Sequence, residues 1–435
     1  MSSTICETKH PAFFALIDGN NFFVSCERVF NPSLNNKPVV VLSHNDGCAI
    51  ARSNEAKQLG IPMGAPLHTF SHLIKPHCIA ILSSNFELYT DLSRRMMCIL
   101  KTCAPDIEIY SIDEAFLTLS YLSATEHNVF ATRIYDTILK HIGIPTTIGI
   151  APTKTLAKIA NRQAKHLSKI HLILNTENLI NQTLRTTNVG DVWGVGKALT
   201  HTLRCLGVYT SYDLAQKKPM WARQHLSIMG ERLVRELQSI PCIPRHINKQ
   251  QKSIQITRSL RRNVTTFNEL SQLLSAHATR LGEKLRQAKL TTSEITIFCQ
   301  TNRFSKTPHY KGEGSFTFTE PTNDTQTLIK GTMHALIHAF LDGHSYHSTG
   351  IHALNLTDEG MLKQKALFPS QLSQNQTARK KCIPHINSAI DTLNKRLGKN
   401  TIFWASSGIQ NDTHKPAHSR SPRYTTNWHE LAIVR

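Results

Sequence analysis

Two short stretches hold the residue types best suited to chemistry. One is Tyr110-Ser111-Ile112-Asp113-Glu114-Ala115-Phe116-Leu117, in which strand-like apolar residues flank two adjacent carboxylates. Two strands joined across Asp113 and Glu114 form a hairpin with both acids at its tip. Acidic residues are equally ordinary in a solvated turn, so this stretch alone decides nothing. The other is Phe13-Phe14-Ala15-Leu16-Ile17, an apolar run that stops at Asp18 and is followed by Gly19, Asn20 and Asn21. A buried strand ending in Asp, beside an acid-tipped hairpin, puts three carboxylates at one sheet edge. Their mutual repulsion and desolvation call for cations between them. Hard oxygen ligands suit Mg²⁺. Two such ions about 3.5–4 Å apart serve in-line phosphoryl transfer.

The neighbouring elements must bring these acids together. Residues 13–18 read as a strand, followed by Phe22 and Phe23. Pro38–Leu42 and Gly47–Ala51 read as two further strands. Ser53 is placed to cap a short helix, Asn54–Leu59, closed by Gly60. Arg52 and Lys57 put positive charge beside it, which suits a triphosphate. Residues 85–103 repeat apolar side chains at helical spacing (Leu88, Leu92, Met96, Ile99 and Cys103), as do residues 128–141. Thr146–Ile150 is a strand, and a helix starts at Pro152-Thr153 and runs to Lys165. Strand, helix, hairpin, helix, strand is the order of a ferredoxin-like sheet, with Asp18 and the hairpin on neighbouring central strands.

The chain has 435 residues, enough for several domains. Fifty Lys and Arg against 30 acids give a formal charge of +20, which points to a polyanionic partner. Ten cysteines without a CxxC pair suggest neither a zinc site nor a disulfide framework, as in a reducing cytosol. No run of 18 apolar residues predicts a membrane span, and Met1–His10 lacks the apolar core of a signal peptide. A cytoplasmic location is expected. Residues 189–215, with Gly194-Val195-Gly196-Lys197 before a helix, read as a helix-hairpin-helix that offers backbone N–H groups to phosphate. A second helical pair is expected in 219–240. After a linker marked by Pro241 and Pro244, residues 243–311 carry 13 Lys and Arg against 3 acids, half of the chain's excess. This predicts a basic α+β module that grips phosphates, with Arg258, Arg261 and Arg262 as candidates. Beyond residue 356 the pattern loosens. Residues 406–428 read as an irregular tail.

Taken together, these stretches resemble the Y-family DNA polymerases, in particular the UmuC-type branch that supplies the catalytic subunit of DNA polymerase V. The matching pieces are Asp18–Glu27, Ile50–Gly60, Ser111–Phe116, Gly149–Lys158, Asp191–Gly196 and Ser421–Thr426, in the family's order. The resemblance implies an α+β, multidomain right hand. Its ferredoxin-like palm spans residues 1–30 and 76–185, and small fingers span 31–75. A helical thumb with the helix-hairpin-helix spans 186–242, and an α+β, DNA-binding little finger spans 243–355. A C-terminal tail spans 356–435. Asp18, Asp113 and Glu114 match the catalytic carboxylates that hold two Mg²⁺, with Gly19 adding its carbonyl. Phe23 matches the steric gate against a ribose 2′-OH and Phe22 its neighbour. Ser53, Lys57 and Lys165 match the nucleotide site, and Gly194, Gly196 and Lys197 the thumb's DNA contact. Gln364, Leu367 and Phe368 fit the family's sliding-clamp peptide.

The implied activity is error-prone translesion synthesis from dNTPs on primer–template DNA within the SOS DNA-damage response. The implied partners are a processed UmuD-type dimer, a RecA filament and the sliding clamp, with no membrane. Small residues at Ala49, Ala51 and Ser53 suggest a roomy site. Asn54 and Lys57 depart from the Tyr and Arg of many family members, and Lys lacks the bidentate fork of Arg. Two rivals share features of this pattern: a non-catalytic DNA-binding scaffold, and a nucleotide cyclase, which needs neither the helix-hairpin-helix nor the basic module.

Overall fold

The computed structural model describes residues 13–123, 125–245, 251–305, 308–360, 374–398, 400–408 and 419–431. The chain divides into two compact units, Met1–Ile247 with Ala417–Arg435, and Asn248–Pro416.

In the first unit, strand β1 (Phe14–Gly19) leads into helix α1 (Phe22–Phe30). A small lobe follows: β2 (Val39–Leu42), β3 (Ala49–Arg52), α2 (Asn54–Gln58), α3 (Leu67–Ile74) and β4 (Ala80–Ser83). Its sheet has the order β3-β2-β4. It packs a separate core of Val40, Leu42, Ala56, Ile61 and Phe70. The chain returns through α4 (Phe86–Cys103), β5 (Ile107–Ile109), β6 (Glu114–Thr118), α5 (Glu126–Ile142), β7 (Thr146–Ala151), α6 (Lys154–His166) and β8 (His171–Ile173). These strands form one sheet in the order β5-β6-β1-β7-β8. The ferredoxin-like core is present, and β8 extends it by pairing parallel to β7.

Alternation along the central strands divides two cores. Ala15, Ile17, Ala115, Leu117, Ile148 and Ile150 face α4 and α5, meeting Leu88, Leu92, Ile134 and Ile138. Leu16, Phe116 and Ala151 face the opposite way, into a cluster with Leu156 and Ala160 of α6. That second cluster continues into α7 (Glu177–Thr186), α8 (Lys197–Cys205), α9 (Ser211–Ala215) and α10 (Pro219–Leu237). The expected helical pair in 219–240 is present within α10, where Ser227, with φ 74° and ψ −175°, separates two helical segments.

The second unit is a sheet of β9 (Ile254–Val264), β10 (Leu290–Thr301), β11 (Lys311–Thr322) and β12 (Tyr346–Asp358), ordered β11-β10-β12-β9. Helices α11 (Phe267–Gln287) and α12 (Thr325–Ala339) share its core through Leu270, Leu274, Leu281 and Leu328.

The C-terminal region differs from the expected loose tail. Residues Gln374–Leu397 form helix α13. Polar anchors hold it: Arg286 clasps Asp391 at 2.7 and 2.8 Å, and Asn387 donates to Asp324 at 2.9 Å. A central Pro384 and a polar sequence hide this helix from an apolar-period reading. Residues 419–431 are likewise ordered against the first unit. The expected tail over 356–435 is therefore shared between the two units. Gln364, Leu367 and Phe368 lie outside the described residues.

Candidate active site

Strand register assembles the acids. Asp18, near the end of β1, is the cross-strand partner of Glu114, which opens β6. The Gly19 amide donates to the Asp113 carbonyl at 2.9 Å, which fixes the hairpin tip beside β1. Within the tip, the Ser111 hydroxyl donates to Asp113 at 2.5 Å and accepts from the Glu114 amide at 3.0 Å.

Helix α6 brings the counter-charge. Lys158 and Lys165 lie two turns apart on one face. Lys158 Nζ meets Glu114 at 2.9 Å and Lys165 Nζ meets Asp18 at 2.7 Å. The helix comes this close because Gly149 of β7 has no side chain. A Cβ there would sit 2.2 Å from the Ala157 carbonyl oxygen and 2.4 Å from the Asn161 nitrogen. The start of α6 is also fastened. Thr153 caps it at the Leu156 amide, and the buried Glu236 carboxylate accepts from the Thr155 amide at 3.1 Å.

Burial pushes the Asp18 carboxyl up to about 6; Lys165 opposes this, and Glu114 and Asp113 reinforce it. This is a desolvated carboxylate in need of positive charge. Among the described residues, no three His, Cys, Asp or Glu side chains converge on one point. Lysines occupy Asp18 and Glu114 instead. The available donors are three carboxylates and the Gly19 carbonyl, all oxygen, and they fit a hard divalent cation once the lysines give way.

Beside the acids lies a cleft of about 260 Å³. Asp18, Gly19 and Asp113 line one side, and Arg52, Lys57 and Lys165 add cations. Phe22, Phe23, Ile50, Ala51 and Met63 supply apolar surface. Lys57 donates to Asn21 at 2.6 Å and to Asn54 at 3.3 Å. Burial, then Arg52 and Lys165, lower its pKa, while Asp18 raises it. Arg52 donates to the Ile61 carbonyl, and burial lowers its pKa. An anion with several charges would relieve this crowding of cations. The Phe23 ring stacks on Tyr89 at 4.5 Å and meets Phe86 edge-on at 5.8 Å.

Ser53 is engaged by the backbone. Its side chain is fully buried, caps α2 at the Ala56 amide, and accepts from the Val39 amide at 3.0 Å. It does not line the cleft, because its hydroxyl is consumed by backbone groups. Ala49 is also fully buried, in the small lobe's core. Of the three small residues, only Ala51 reaches the cleft. Lys158 and Tyr89 join the site in the structure without a role assigned to them in sequence. The seven-residue spacing of Lys158 and Lys165 was the available signal for α6, whereas nothing local in sequence ties Tyr89 to Phe23.

The helix-hairpin-helix turn reaches the acidic hairpin. Trp193 Nε1 donates to the Tyr110 hydroxyl at 3.1 Å, and Lys158 lies 4.2 Å from the centre of the Tyr110 ring. Gly194 has φ +88°, a conformation that favours glycine, and Gly196 precedes α8, where Lys197 is exposed. In the second unit, Arg258, Arg261 and Arg262 all lie exposed on β9. Partial desolvation and the neighbouring Arg280 lower the pKa of Arg258, and Arg262 is paired with Glu269 at 2.5 Å. A concavity of about 550 Å³ on the same sheet is lined instead by Gln255, Arg303, Lys311 and His352, among others.

With this geometry in place, the relatives become informative. The impB/mucB/samB family matches residues 17–162, and its C-terminal domain matches residues 251–367. A domain of unknown function, DUF4113, matches residues 384–434. Protein UmuC of Salmonella typhimurium is 36% identical over 428 residues, covering 97% of this chain and 100% of the relative. The chain belongs to this family. It is a UmuC-type member of the Y-family. Protein ImpB of Salmonella typhimurium is 34% identical, covering 97% of this chain and 99% of the relative. DNA polymerase IV 1 of Bacillus subtilis is 26% identical, over 89% and 91% of the two chains. A solved Y-family DNA polymerase chimera of Dbh and Dpo4 has a TM-score of 0.65 at 20% identity, covering 80% of this chain and 99% of the other. That likeness shows the multidomain α+β fold of these polymerases. Among the described residues, no helix is long and apolar enough to cross a membrane.

Proposed function

We propose that this chain extends a DNA primer by two-metal-ion phosphoryl transfer, with the cleft between Asp18 and Lys57 as its dNTP site. The family supports an error-prone translesion DNA polymerase that binds primer–template DNA and dNTPs, and a dependence on divalent metal. The observation that carries the reading is that Asp18, in register with Glu114, lines one cleft together with Asp113, Arg52, Lys57 and Lys165.

Asp18, Asp113, Glu114 and the Gly19 carbonyl would hold a pair of Mg²⁺ ions. When bound, such ions favour ionisation of the primer 3′-hydroxyl and offset charge on the departing pyrophosphate. Arg52, Lys57 and Lys165 take the triphosphate oxygens, and Lys165 and Lys158 leave Asp18 and Glu114 as they do so. The primer oxygen then forms its bond to the α-phosphorus as the bond to pyrophosphate breaks. No side chain is assigned as general base. Phe23, stacked on Tyr89, stands as the wall that a ribose 2′-OH would strike, with Phe22 beneath the sugar. Ala51 and Ile50 leave space around the base pair, so shape discriminates weakly between right and wrong pairs.

The SOS role, the cytoplasmic location and the processed UmuD-type dimer, RecA filament and sliding clamp belong to the same proposal. Its test is primer extension on undamaged and abasic templates, with those partners added one at a time. Asp113→Ala and Glu114→Ala should each lower the rate by on the order of 10³-fold while DNA binding persists. Undiminished extension by either variant removes the proposed metal site. DNA binding without incorporation under every partner condition would instead favour the non-catalytic scaffold.

A further inference from the structure

Residues 419–431 return to the back of the gate. Phe23 and Glu27 lie one turn apart on α1 and both meet Tyr89 of α4. Tyr89 is fully buried, its ring under Phe23 at 4.5 Å and its hydroxyl donating to Glu27 Oε1 at 2.6 Å. Glu27 is only 2% exposed, and it has a second donor. This is the Ser421 hydroxyl, 3.0 Å from the same oxygen and nearly four hundred residues away in sequence.

The surrounding contacts show a built interface. The Asn85 side chain caps α4 through its oxygen, while its nitrogen donates to the Ser421 hydroxyl at 2.9 Å and to the Ser421 and Pro422 carbonyls, each at 3.1 Å. Tyr424 stacks flat on Phe30, at the far end of α1, with centroids 4.7 Å apart and planes 7° apart. The segment fixes its own shape as well, since Arg423 and Asn427 both hold Glu430. These contacts fall on the two helices that carry Phe23 and Tyr89. Glu27 is the shared point, a buried carboxylate held high by desolvation and lowered by its two hydroxyl donors. Such a group tolerates little movement without losing a partner.

We propose that residues 419–431 are a brace that positions the Phe23 gate through Ser421, Glu27 and Tyr89, so that the far C-terminus helps to set sugar selectivity. This rests on the gate reading of Phe23. Without the brace, Glu27 would draw water or turn outward, Tyr89 would lose its fixed hydroxyl, and the ring beneath Phe23 would be free to shift. Ser421 and Tyr424 touch no nucleotide and are positioning residues.

The test uses the full chain and its partners on one primer–template, measuring kcat/KM for a dNTP and for the matching rNTP. Ser421→Ala and Tyr424→Ala should each raise the rNTP-to-dNTP ratio by about ten-fold, since a small displacement of a positioned group costs that order of selectivity. Ser421→Thr keeps the hydroxyl and should return the ratio to within about two-fold of wild type. Phe23→Ala is the internal standard. If it relaxes sugar choice while Ser421→Ala and Tyr424→Ala leave the ratio unchanged, or lower both nucleotides equally, the brace is wrong and the gate stands. If Phe23→Ala itself leaves the ratio unchanged, the gate reading falls and the brace with it.

Discussion

Asp18 shows how one side chain can be costly to the fold and useful to the chemistry. Burial holds its carboxyl at about 6, against 3.8 for an ordinary aspartate. Between those values the folded chain keeps a proton that the unfolded chain has released. Metal-free stability therefore falls as pH rises from about 4 to 6, and the contribution vanishes below about 4, where both states are protonated. Asp18→Asn removes this penalty. In chelator near pH 7.5, urea denaturation should find the variant more stable than wild type by on the order of 1–3 kcal/mol. Added Mg²⁺ should then raise the melting temperature of wild type and leave Asp18→Asn nearly unmoved. A variant that melts below wild type in chelator would mean that the Lys165 pairing already compensates the buried charge.

At the scale of elements, the site depends on α6 lying almost in contact with β7. Gly149→Ala would drive a methyl group into the backbone of Ala157 and Asn161, which cannot swing aside as a side chain can. The variant should lose about 1–3 kcal/mol in urea denaturation. Because α6 carries Lys158 and Lys165, its KM for dNTP should rise while its affinity for duplex DNA holds. An unchanged KM would separate α6 from the nucleotide site. The pieces of this arrangement were legible in different degrees. The apolar runs of β1, β6 and β7, packed on both faces, and the 3.6-residue stripes of α4 and α5, each with one buried face, can be read directly. The three-residue β8 and the short β4 are too brief to show such a pattern. Helix α13 rests on Arg286 and Asp324, distant polar partners that no local pattern reveals. Ser53 was legible as a cap, because its type and its place before Asn54 are local signals. The Ser421–Thr426 motif could be read as a resemblance, but its docking on α1 and α4 is a long-range contact with no local signature.

Over the whole molecule, charge is distributed according to what each unit must hold. On α6, cations near the carboxylates are matched to acids: Lys158 to Glu114, Lys165 to Asp18 and Lys154 to Glu108. Their charge is spent locally until an anion competes for it. In the second unit part of the excess is also engaged, because Arg262 is tied to Glu269, Arg280 to Glu283 and Arg286 to Asp391. The concavity on its sheet presents Arg303, and Lys311 there is shared with Glu313. If this surface grips phosphates, each cation engaged by DNA should release a counterion. Plots of log affinity against log salt for the full chain on duplex primer–template should then lose about one unit of slope in Arg303→Ala, equally for unrelated sequences. Arg262→Ala, whose guanidinium is already neutralised, should change the slope by much less. If instead Arg262→Ala carries the larger loss, DNA must break the Glu269 pair on binding, and the contact surface is the β9 edge rather than the concavity.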